Sequence, residues 1–228
     1  MPEKPAPSPE TLTAQALGWV DPTTRSIVPP IYPSVTYERA SDGAYPGGHT
    51  YTRDQNPTYD QVEALLNRLE GGEGALLFGS GMAAATTLFE TLDPGDHVVA
   101  PEQMYWTTQR WLEALAGRGR ITLDLVPNGD LAALETALQP GVTRIVWVET
   151  PANPSCAITN IGETAAAAHV AGARVVVDST LCTPVLCRPI EHGADLVVHS
   201  ATKPVSYTHL RAHETLRYRV WRRVLEKK

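Results

Sequence analysis

The sequence predicts an α/β fold in which a mostly parallel β-sheet lies between two layers of helices, a three-layer sandwich. Short continuous runs of apolar residues, such as HVVA at 97–100 and RVVVD at 174–178, alternate with longer segments of helical periodicity. Unbroken apolar runs are typical of parallel strands, which are buried on both faces of the sheet. The chain has 228 residues, 43% of them hydrophobic, and is long enough to bury such a core.

The N-terminal part of the chain lacks this alternation. It begins with a Pro-rich polar arm, MPEKPAPSPE, and continues through PPIYPSVTY and YPGGHTYTRDQNP without a sustained period. We therefore expect residues 1–56 to form an N-terminal arm and an extended crossing segment. A helix is predicted to begin at Asn56-Pro57 and to end at Gly71-Gly72, because proline favours the first turn of a helix and glycine the position after the last.

Strands and helices alternate along the rest of the chain up to residue 203. Strands are predicted at 75–78, 97–100, 121–126, 144–149, 174–178 and 195–199. Helices are predicted at about 80–92, 105–116, 130–138 and 161–171. No internal repeat interrupts this order, so residues 57–203 are expected to form one large domain.

Residues 204–228 differ in charge from the rest of the chain. They contain seven of the 19 Lys and Arg residues and two of the 25 Asp and Glu residues, which leaves twelve basic and 23 acidic residues in 1–203. The body therefore has a net charge of −11 and the tail one of +5. The acidic body argues against a nucleic-acid function, since that affinity comes mainly from Lys and Arg. The basic tail resembles a nucleic-acid-binding arm, but its apolar residues suit DNA no better than a membrane.

The cysteines indicate the compartment. Cys156, Cys182 and Cys187 form no paired framework, which favours reduced thiols in a cytoplasmic protein. Cys182 and Cys187 are not at zinc-site spacing and no HExxH motif occurs, so no metal is expected. No apolar run approaches the roughly 18 residues that a membrane span needs, and the polar N-terminal arm is not a signal peptide.

Polar residues at the predicted strand ends are the candidates for chemistry, because ligands of a parallel sheet bind beyond the carboxyl ends of its strands. The turn from Gly79 to Met82 leads into a helix, where free N–H groups favour a phosphate, although such a turn also serves simply to redirect the chain. Asp178 closes the strand RVVVD and is either a functional carboxylate or a helix N-cap. Lys203 follows the strand DLVVH and is the only lysine between Lys4 and the last two residues. Its amine can lose a proton and attack a carbonyl, which a guanidinium cannot do.

Together these residues match the needs of pyridoxal phosphate. That cofactor requires a lysine that binds its aldehyde, a carboxylate that keeps its ring nitrogen protonated, donors for its phosphate and a flat group over its ring. The order of glycine turn, aromatic residue, aspartate and Ser-x-Thr-Lys supplies each of these groups in turn.

Over roughly residues 10–203 the chain resembles the Cys/Met-metabolism group of pyridoxal-phosphate enzymes, the family of cystathionine gamma-synthase and cystathionine lyase. The motifs of the resemblance occur in the family's order: PPIYPSVTY, TYTRDQNPT, LLFGSGMAAA, VWVETPANP, VVVDSTLCTP and HSATK. The resemblance implies the large domain of a fold-type I pyridoxal-phosphate enzyme, incomplete after Lys203, with its C-terminal domain missing. Residues 204–228 are predicted to be a non-native tail, and a genuine divergent tail is the alternative.

The resemblance implies a role for each matching position. Lys203 is the Schiff-base lysine, Asp178 is the partner of the ring nitrogen, and Tyr105 stacks on the ring and can act as an acid or base. Asn153 contacts the ring oxygen. The residues implied to hold the phosphate are Gly81 and Met82, through backbone N–H groups, Ser200 and Thr202, through hydroxyls, and Tyr51 and Arg53 of the neighbouring subunit. Arg110 and Glu149 are implied to support the site.

Departures from the family pattern bear on specificity. After Tyr105 the family often has Gly-Gly-Thr, whereas this chain has Trp106-Thr107-Thr108, which places bulk beside the substrate. The absence of a cysteine there weighs against a methionine gamma-lyase. Ser179 stands where asparagine is common, which is a milder change.

The resemblance implies a transsulfuration enzyme that acts on sulfur amino acids or O-acylhomoserine by elimination or replacement at the beta or gamma carbon. The contribution of Tyr51 and Arg53 from a neighbour implies a homodimer at least and, by analogy, a tetramer. As written, the chain lacks the family's carboxylate-binding arginine and is expected to be inactive. A non-catalytic truncated fragment and an aminotransferase of the same fold are the alternatives; the YTR and SATK contexts disfavour the aminotransferase.

Overall fold

The computed structural model describes residues 7–203 of the chain. The predicted non-native tail at 204–228 therefore lies outside the described residues. The chain divides after Leu77 into two compact units, Met1–Leu77 and Phe78–Lys228, which we call the N-terminal and C-terminal units. This division falls within the range 57–203, whose assignment as one large domain stays a prediction.

The N-terminal unit contains two α-helices, α1 (Pro9–Ala14) and α2 (Pro57–Glu70), and a 3-10 turn, Ala16–Gly18. Between residues 19 and 56 the described backbone forms only one isolated antiparallel bridge, from Thr36 to Tyr51. The Pro- and Gly-rich composition accounts for the near absence of strand pairing here, because proline cannot donate to a ladder and glycine disfavours strands. The assignment of residues 1–56 as an N-terminal arm and extended crossing segment stays a prediction.

Helix α2 begins and ends where the sequence predicts. Asn56 caps it by accepting the N–H of Thr58, and Pro57 occupies the first turn. Gly71 ends the helix in the left-handed conformation, with φ of 74°, which glycine adopts without steric cost.

The C-terminal unit is built on a five-stranded sheet in the order β2-β1-β3-β4-β5, in which every neighbouring pair is parallel. The strands are β1 (His97–Pro101), β2 (Thr122–Val126), β3 (Thr143–Glu149), β4 (Arg174–Asp178) and β5 (Leu196–Val198). The helices are α3 (Gly81–Phe89), α4 (Trp106–Gly117), α5 (Leu131–Ala137), α6 (Ile161–Val170) and α7 (Thr183–Leu186), with a 3-10 turn at Pro189–His192.

Both faces of the sheet are covered, as a three-layer sandwich requires. On one face, strand residues such as Trp147 and Val98 pack with Phe89 of α3 and Leu112 of α4. On the other face, alternate residues of the same strands pack with α5 and α6. The α/β fold with a parallel sheet is therefore confirmed, and its two-sided burial explains the unbroken apolar runs.

One predicted strand is wrong. Residues 75–78 (ALLF) form no strand, although the segment is apolar. The backbone N–H of Leu77 donates instead to Oε1 of Glu63 in α2, at 2.7 Å, and Leu76 is 78% exposed. A side-chain acceptor thus takes a donor that a sheet ladder would use, and periodicity alone does not distinguish the two partners.

His97 lies at the amino edge of the sheet, buried at the start of β1. Its Nδ1 is 2.9 Å from Oγ1 of Thr143, and its Nε2 is 3.3 Å from Oδ2 of Asp124. Burial lowers the pKa of His97, and the attraction of Asp124 opposes this only in part. The folded state therefore favours the neutral ring.

We expect His97 to make the protein less stable in acid. Because its folded pKa is depressed, the unfolded chain takes up a proton first as the pH falls below about 6.5, so the stabilising effect of the neutral ring is lost as the pH falls through the folded pKa. In His97→Gln the unfolding free energy should therefore fall less between about pH 7 and about pH 5 than in the wild type, because glutamine takes up no proton. Denaturant titrations at several pH values measure the unfolding free energy of both proteins. A fall in His97→Gln as large as that of the wild type would contradict the prediction.

Candidate active site

Predicted site residues gather at the carboxyl edge of the sheet. Glu149 and Asp178 are the last residues of β3 and β4 and are paired in register, and Asp178 is paired with Val198 of β5. Tyr105 immediately precedes α4, in the connection that follows β1, and the segment Ser200–Lys203 follows β5. Parallel pairing brings these strand ends to one edge, as the sequence predicts.

The start of α3 lies against the segment that follows β5. A Cβ atom at Gly81 would lie 2.8 Å from Cβ and Oγ of Ser200, so a larger residue there requires this segment to shift. The Oγ atoms of Ser200 and Thr202 are 3.1 Å apart. The N–H groups of Gly81 and Met82 lie in the first turn, where no helical carbonyl precedes them. Backbone donors, hydroxyls and the positive end of a helix dipole together favour an anion such as phosphate.

The Asp178 carboxyl group accepts a hydrogen bond from the turn that follows β4. The N–H of Thr180 donates to its Oδ1 at 3.0 Å, and Oγ1 of Thr180 accepts the N–H of Ser200 at 2.8 Å. Burial raises the pKa of Asp178, whereas the hydrogen bonds from Thr180 and the charge of His199 lower it and do not fully compensate. The ionised form would therefore be stabilised by a cation placed against it.

The alternative interpretation of Asp178 as a helix N-cap is wrong. The next helix, α7, begins at Thr183, and the residue at its cap is Cys182. The side chain of Asp178 bonds the N–H two residues on, which is the pattern of an Asx turn.

Glu149 connects two of the predicted ligands of the cofactor. Its Oε2 accepts the N–H of Tyr105 at 2.6 Å, and its Oε1 accepts the N–H of Asn153 at 2.9 Å. Burial raises the pKa of Glu149 and so does the neighbouring Asp178, while the two N–H bonds lower it. The buried carboxylate of Glu149 thus links the connection after β1 to the loop after β3. It positions the backbone at Tyr105 and at Asn153.

The amine of Lys203 faces the ring of Tyr105. Its Nζ is 6.0 Å from the ring centroid, at the outer limit of a cation–π contact. The backbone N–H of Lys203 donates to the carbonyl of Ser200 at 2.9 Å, so the lysine follows the hydroxyl segment in a tight turn. The structure therefore places a lysine amine and a flat aromatic ring at the edge that also holds Asp178.

Three further predicted residues make contacts elsewhere. Tyr51 and Arg53 belong to the N-terminal unit, where the Arg53 guanidinium lies 5.3 Å from the centroid of the Tyr51 ring. Arg110 lies over the ring of Trp106, at 5.6 Å, and its Nη1 is 3.3 Å from Oε2 of Glu113. These contacts of Arg110 are all within α4.

Sequence reasoning did not single out Thr180, which links Asp178 to Ser200 through its N–H and its hydroxyl. The signal that could have found it is a hydroxyl residue two positions after an acidic strand end, which favours an Asx turn. Its neighbour Ser179 is 1% exposed, and its Oγ has no hydrogen-bond partner among residues 7–203.

These residues fit pyridoxal phosphate. Asp178 is a half-buried carboxylate that a ring cation would stabilise, and the glycine at position 81 lets the start of α3 approach Ser200 closely, beside the two hydroxyls. The amine of Lys203 is within reach of the space over Tyr105. These groups would thus pair with the ring nitrogen, bind the phosphate as an anion and offer a primary amine to the aldehyde.

Comparison with known proteins gives one family. The family model described as "Cys/Met metabolism PLP-dependent enzyme" matches residues 10–213. The chain is 44% identical over 189 residues to an L-methionine gamma-lyase from Pseudomonas putida, which covers 79% of this chain and 47% of the relative. It is 41% identical over 184 residues to a cystathionine gamma-synthase from Mycobacterium bovis, with 80% of this chain and 47% of the relative covered.

A solved structure is also similar. The crystal structure of metB from Corynebacterium glutamicum superposes with a TM-score of 0.80 at 35% sequence identity, covering 86% of this chain and 52% of that one. The chain thus spans about half the length of the relatives it matches. In residues 7–203 no helix combines the length and apolarity needed to cross a membrane.

We predict that Glu149 matters for stability through its two hydrogen bonds. Glu149→Gln keeps one acceptor oxygen and sets an amide NH₂ against the other N–H, so it should lower the unfolding free energy by about 1–2 kcal/mol; Glu149→Ala leaves two buried donors unpaired and should cost about 3 kcal/mol. Chemical denaturation of each variant measures this. The exposed Glu163→Gln serves as the matched control and should behave like the wild type. A Glu149→Ala variant as stable as the wild type would show that Glu149 does not make these two hydrogen bonds.

Proposed function

The chain belongs to the Cys/Met metabolism family of pyridoxal-phosphate-dependent enzymes, and we propose that its function is transsulfuration chemistry on sulfur amino acids or O-acylhomoserine. The reaction would be an elimination or a replacement at the beta or gamma carbon. The observation that supports this most directly is the meeting of Lys203, Tyr105 and Asp178 at one sheet edge, beside the first-turn N–H of Gly81 and the hydroxyl of Ser200.

Pyridoxal phosphate, when bound, supplies an electron sink for the bond cleaved at the alpha carbon of the amino acid. Asp178 would hold the proton on the ring nitrogen, and its burial makes that ion pair strong. The N–H groups of Gly81 and Met82 and the hydroxyls of Ser200 and Thr202 would bind the phosphate.

Lys203 would have two functions. Its amine would bind the cofactor aldehyde, and after the substrate amine displaces it, the same amine would move the proton from the alpha carbon of the substrate. Tyr105 would lie over the cofactor ring and offer its phenol as a second acid or base. Asn153 would bind the ring oxygen, and Glu149 would hold both of these residues in place through their backbone N–H groups.

The proposed assembly is a homodimer at least, and a tetramer by analogy with the family. In it, Tyr51 and Arg53 of one subunit would bind the cofactor phosphate of its neighbour. A cytoplasmic location is part of the same proposal, supported by the absence of disulfides among the described cysteines and by the metabolic relatives.

We expect Lys203 to be the residue that pyridoxal phosphate modifies. Addition of the cofactor to the wild-type chain should give a visible absorption band, and borohydride reduction followed by peptide mapping should locate the cofactor on Lys203. In Lys203→Ala the band and the modified peptide should be absent, because no other amine occupies that edge of the described sheet. Lys4→Ala is the matched control and should label as the wild type does. Labelling of Lys203→Ala at wild-type extent would refute the assignment.

A mixing experiment tests the contribution of the neighbouring subunit. Arg53→Ala should weaken binding of pyridoxal phosphate while keeping Lys203, and Lys203→Ala should keep Arg53 but lose covalent attachment. Mixed and reassembled in equal amounts, the two variants should recover about a quarter of the wild-type sites, since half of the symmetric dimers are mixed and each mixed dimer has one complete site. Borohydride-fixed cofactor per chain measures the recovery. Mixtures that merely average the two variants would exclude donation from a neighbour.

The alternative that the sequence analysis left open is a chain that binds the cofactor without turnover. Two assays distinguish it from the enzyme: release of ammonia and a keto acid from cystathionine, which detects elimination, and exchange of the acyl group of an O-acylhomoserine for an added thiol, which detects replacement. Transfer of the amino group to an added keto acid would instead indicate an aminotransferase of the same fold.

A further inference from the structure

Within the N-terminal unit, both ring nitrogens of His49 face hydrogen-bond acceptors. Nδ1 is 2.8 Å from the carbonyl oxygen of Gly47, and Nε2 is 2.7 Å from Oδ2 of Asp60 in α2. A neutral imidazole carries one N–H and can satisfy one of these acceptors, whereas an imidazolium carries two and satisfies both. The geometry therefore matches the protonated ring.

His49 lies two residues before Tyr51, the first residue of the turn that carries Tyr51 and Arg53. In this turn the N–H groups of Asp54 and Gln55 donate to the carbonyl of Tyr51, at 2.9 and 3.0 Å, and the N–H of Thr52 donates to the carbonyl of Val35 at 2.9 Å. These three bonds set the path of the backbone on which both predicted phosphate ligands stand. We call residues 51–55 the YTR turn.

Helix α2 and its cap contact both the YTR turn and the residue His49 before it. The hydroxyl of Tyr59 donates to the carbonyl of Thr52 at 2.7 Å, and Nδ2 of the cap residue Asn56 donates to Oγ1 of Thr52 at 3.0 Å. Oδ2 of Asp60 is 2.7 Å from Nε2 of His49. Burial, together with repulsion from nearby carboxylates, raises the pKa of Tyr59 to about 12, so its bond persists across the physiological range.

We propose that His49 is a pH-dependent positioning residue for Tyr51 and Arg53, acting through its simultaneous bonds to Asp60 and to the carbonyl of Gly47. The consequence for cofactor binding rests on the proposed function of Tyr51 and Arg53. The structural part does not, because the contacts of His49 lie entirely within the N-terminal unit.

The groups that face His49 determine whether its pKa is raised or lowered. They are the Asp60 carboxylate from α2, the Gly47 carbonyl from the preceding turn, and the ring of Tyr37, whose centroid is 5.3 Å from the imidazole. The hydrogen bond that His49 donates to the Asp60 carboxylate raises the pKa of His49 more than partial burial lowers it, and the Gly47 carbonyl adds to the rise. A histidine whose folded pKa is raised stabilises the fold fully below its unfolded pKa and loses that contribution as the pH rises through its folded pKa. The YTR turn should therefore be firmly held in mild acid and looser in mild base.

Amide hydrogen exchange by NMR on the full chain, without cofactor, tests this directly. Protection factors, which correct for the intrinsic pH dependence of exchange, should fall at Thr52, Asp54 and Gln55 between about pH 5 and about pH 8, the range across which histidine titrates. The side chains of His49 and Asp60 are both partly exposed, and exposed ion pairs are weak. The expected fall in the protection factors is therefore about two- to five-fold. Amides in the middle of α2, such as that of Leu65, should show no such fall.

Two variants and one control complete the test. His49→Gln and Asp60→Asn should each give turn protection that is low and independent of pH, with α2 still protected, which shows that the unit has folded. The control is His169→Gln, which removes a pair of the same chemistry, His169 Nε2 with Asp195 Oδ2 at 2.9 Å, from the C-terminal unit. It should leave the pH dependence of the YTR turn unchanged.

The inference would be overturned by wild-type protection at Thr52, Asp54 and Gln55 that stays constant while the His49 ring titrates, or by a His49→Gln variant that keeps the wild-type pH profile. Because exchange is measured without pyridoxal phosphate, failure of the proposed function appears only in the cofactor assays with Arg53→Ala. The two proposals can therefore fail separately.

Discussion

The parallel pairing of β1, β3, β4 and β5 is the constraint on which the candidate site depends. Because these strands run in one direction, their carboxyl ends meet, and the residues that follow each strand become neighbours although they are far apart in the sequence. Glu149 and Asp178 are 29 positions apart in the chain and adjacent in register. Burial of the apolar residues of β1, β3 and β4 on both faces fixes that register, since a slip of one residue would turn apolar side chains to the wrong layer.

Two carboxylates at this edge, Glu149 and Asp178, have different hydrogen-bond partners. Glu149 accepts two backbone N–H groups and thereby positions the backbone at Tyr105 and Asn153. Asp178 receives its bonds from Thr180, and for both carboxylates burial raises the pKa more than these bonds lower it. A carboxyl group in that condition is a strong partner for a protonated ring nitrogen, which brings the missing positive charge.

The N-terminal unit shows how a segment with little regular structure can still hold specific residues. Its long Pro- and Gly-rich stretch has few backbone ladder bonds, so side chains of α2 and its cap supply the anchors of the YTR turn: Asn56, Tyr59 and Asp60. An anchor that uses a phenol is insensitive to pH near neutrality, whereas one that uses an imidazole is not. With both kinds of anchor, the YTR turn can stay folded while its position changes with pH.

The α/β class, the limits of α2 and the positions of the five strands follow from the sequence alone, because apolar runs, proline, glycine and helix caps act within a few residues of where they stand. The sequence also placed Lys203 and Asp178 at strand ends and indicated their chemistry. Tertiary contacts were needed to show that residues 75–78 form no strand, since Leu77 bonds to Glu63, fourteen positions away. Only the structure showed that Glu149 binds the backbone of Tyr105, that Thr180 joins Asp178 to Ser200, and that Asp60 binds His49. Packing in three dimensions determines these hydrogen-bond partners. Local sequence patterns do not specify which donor bonds to which acceptor.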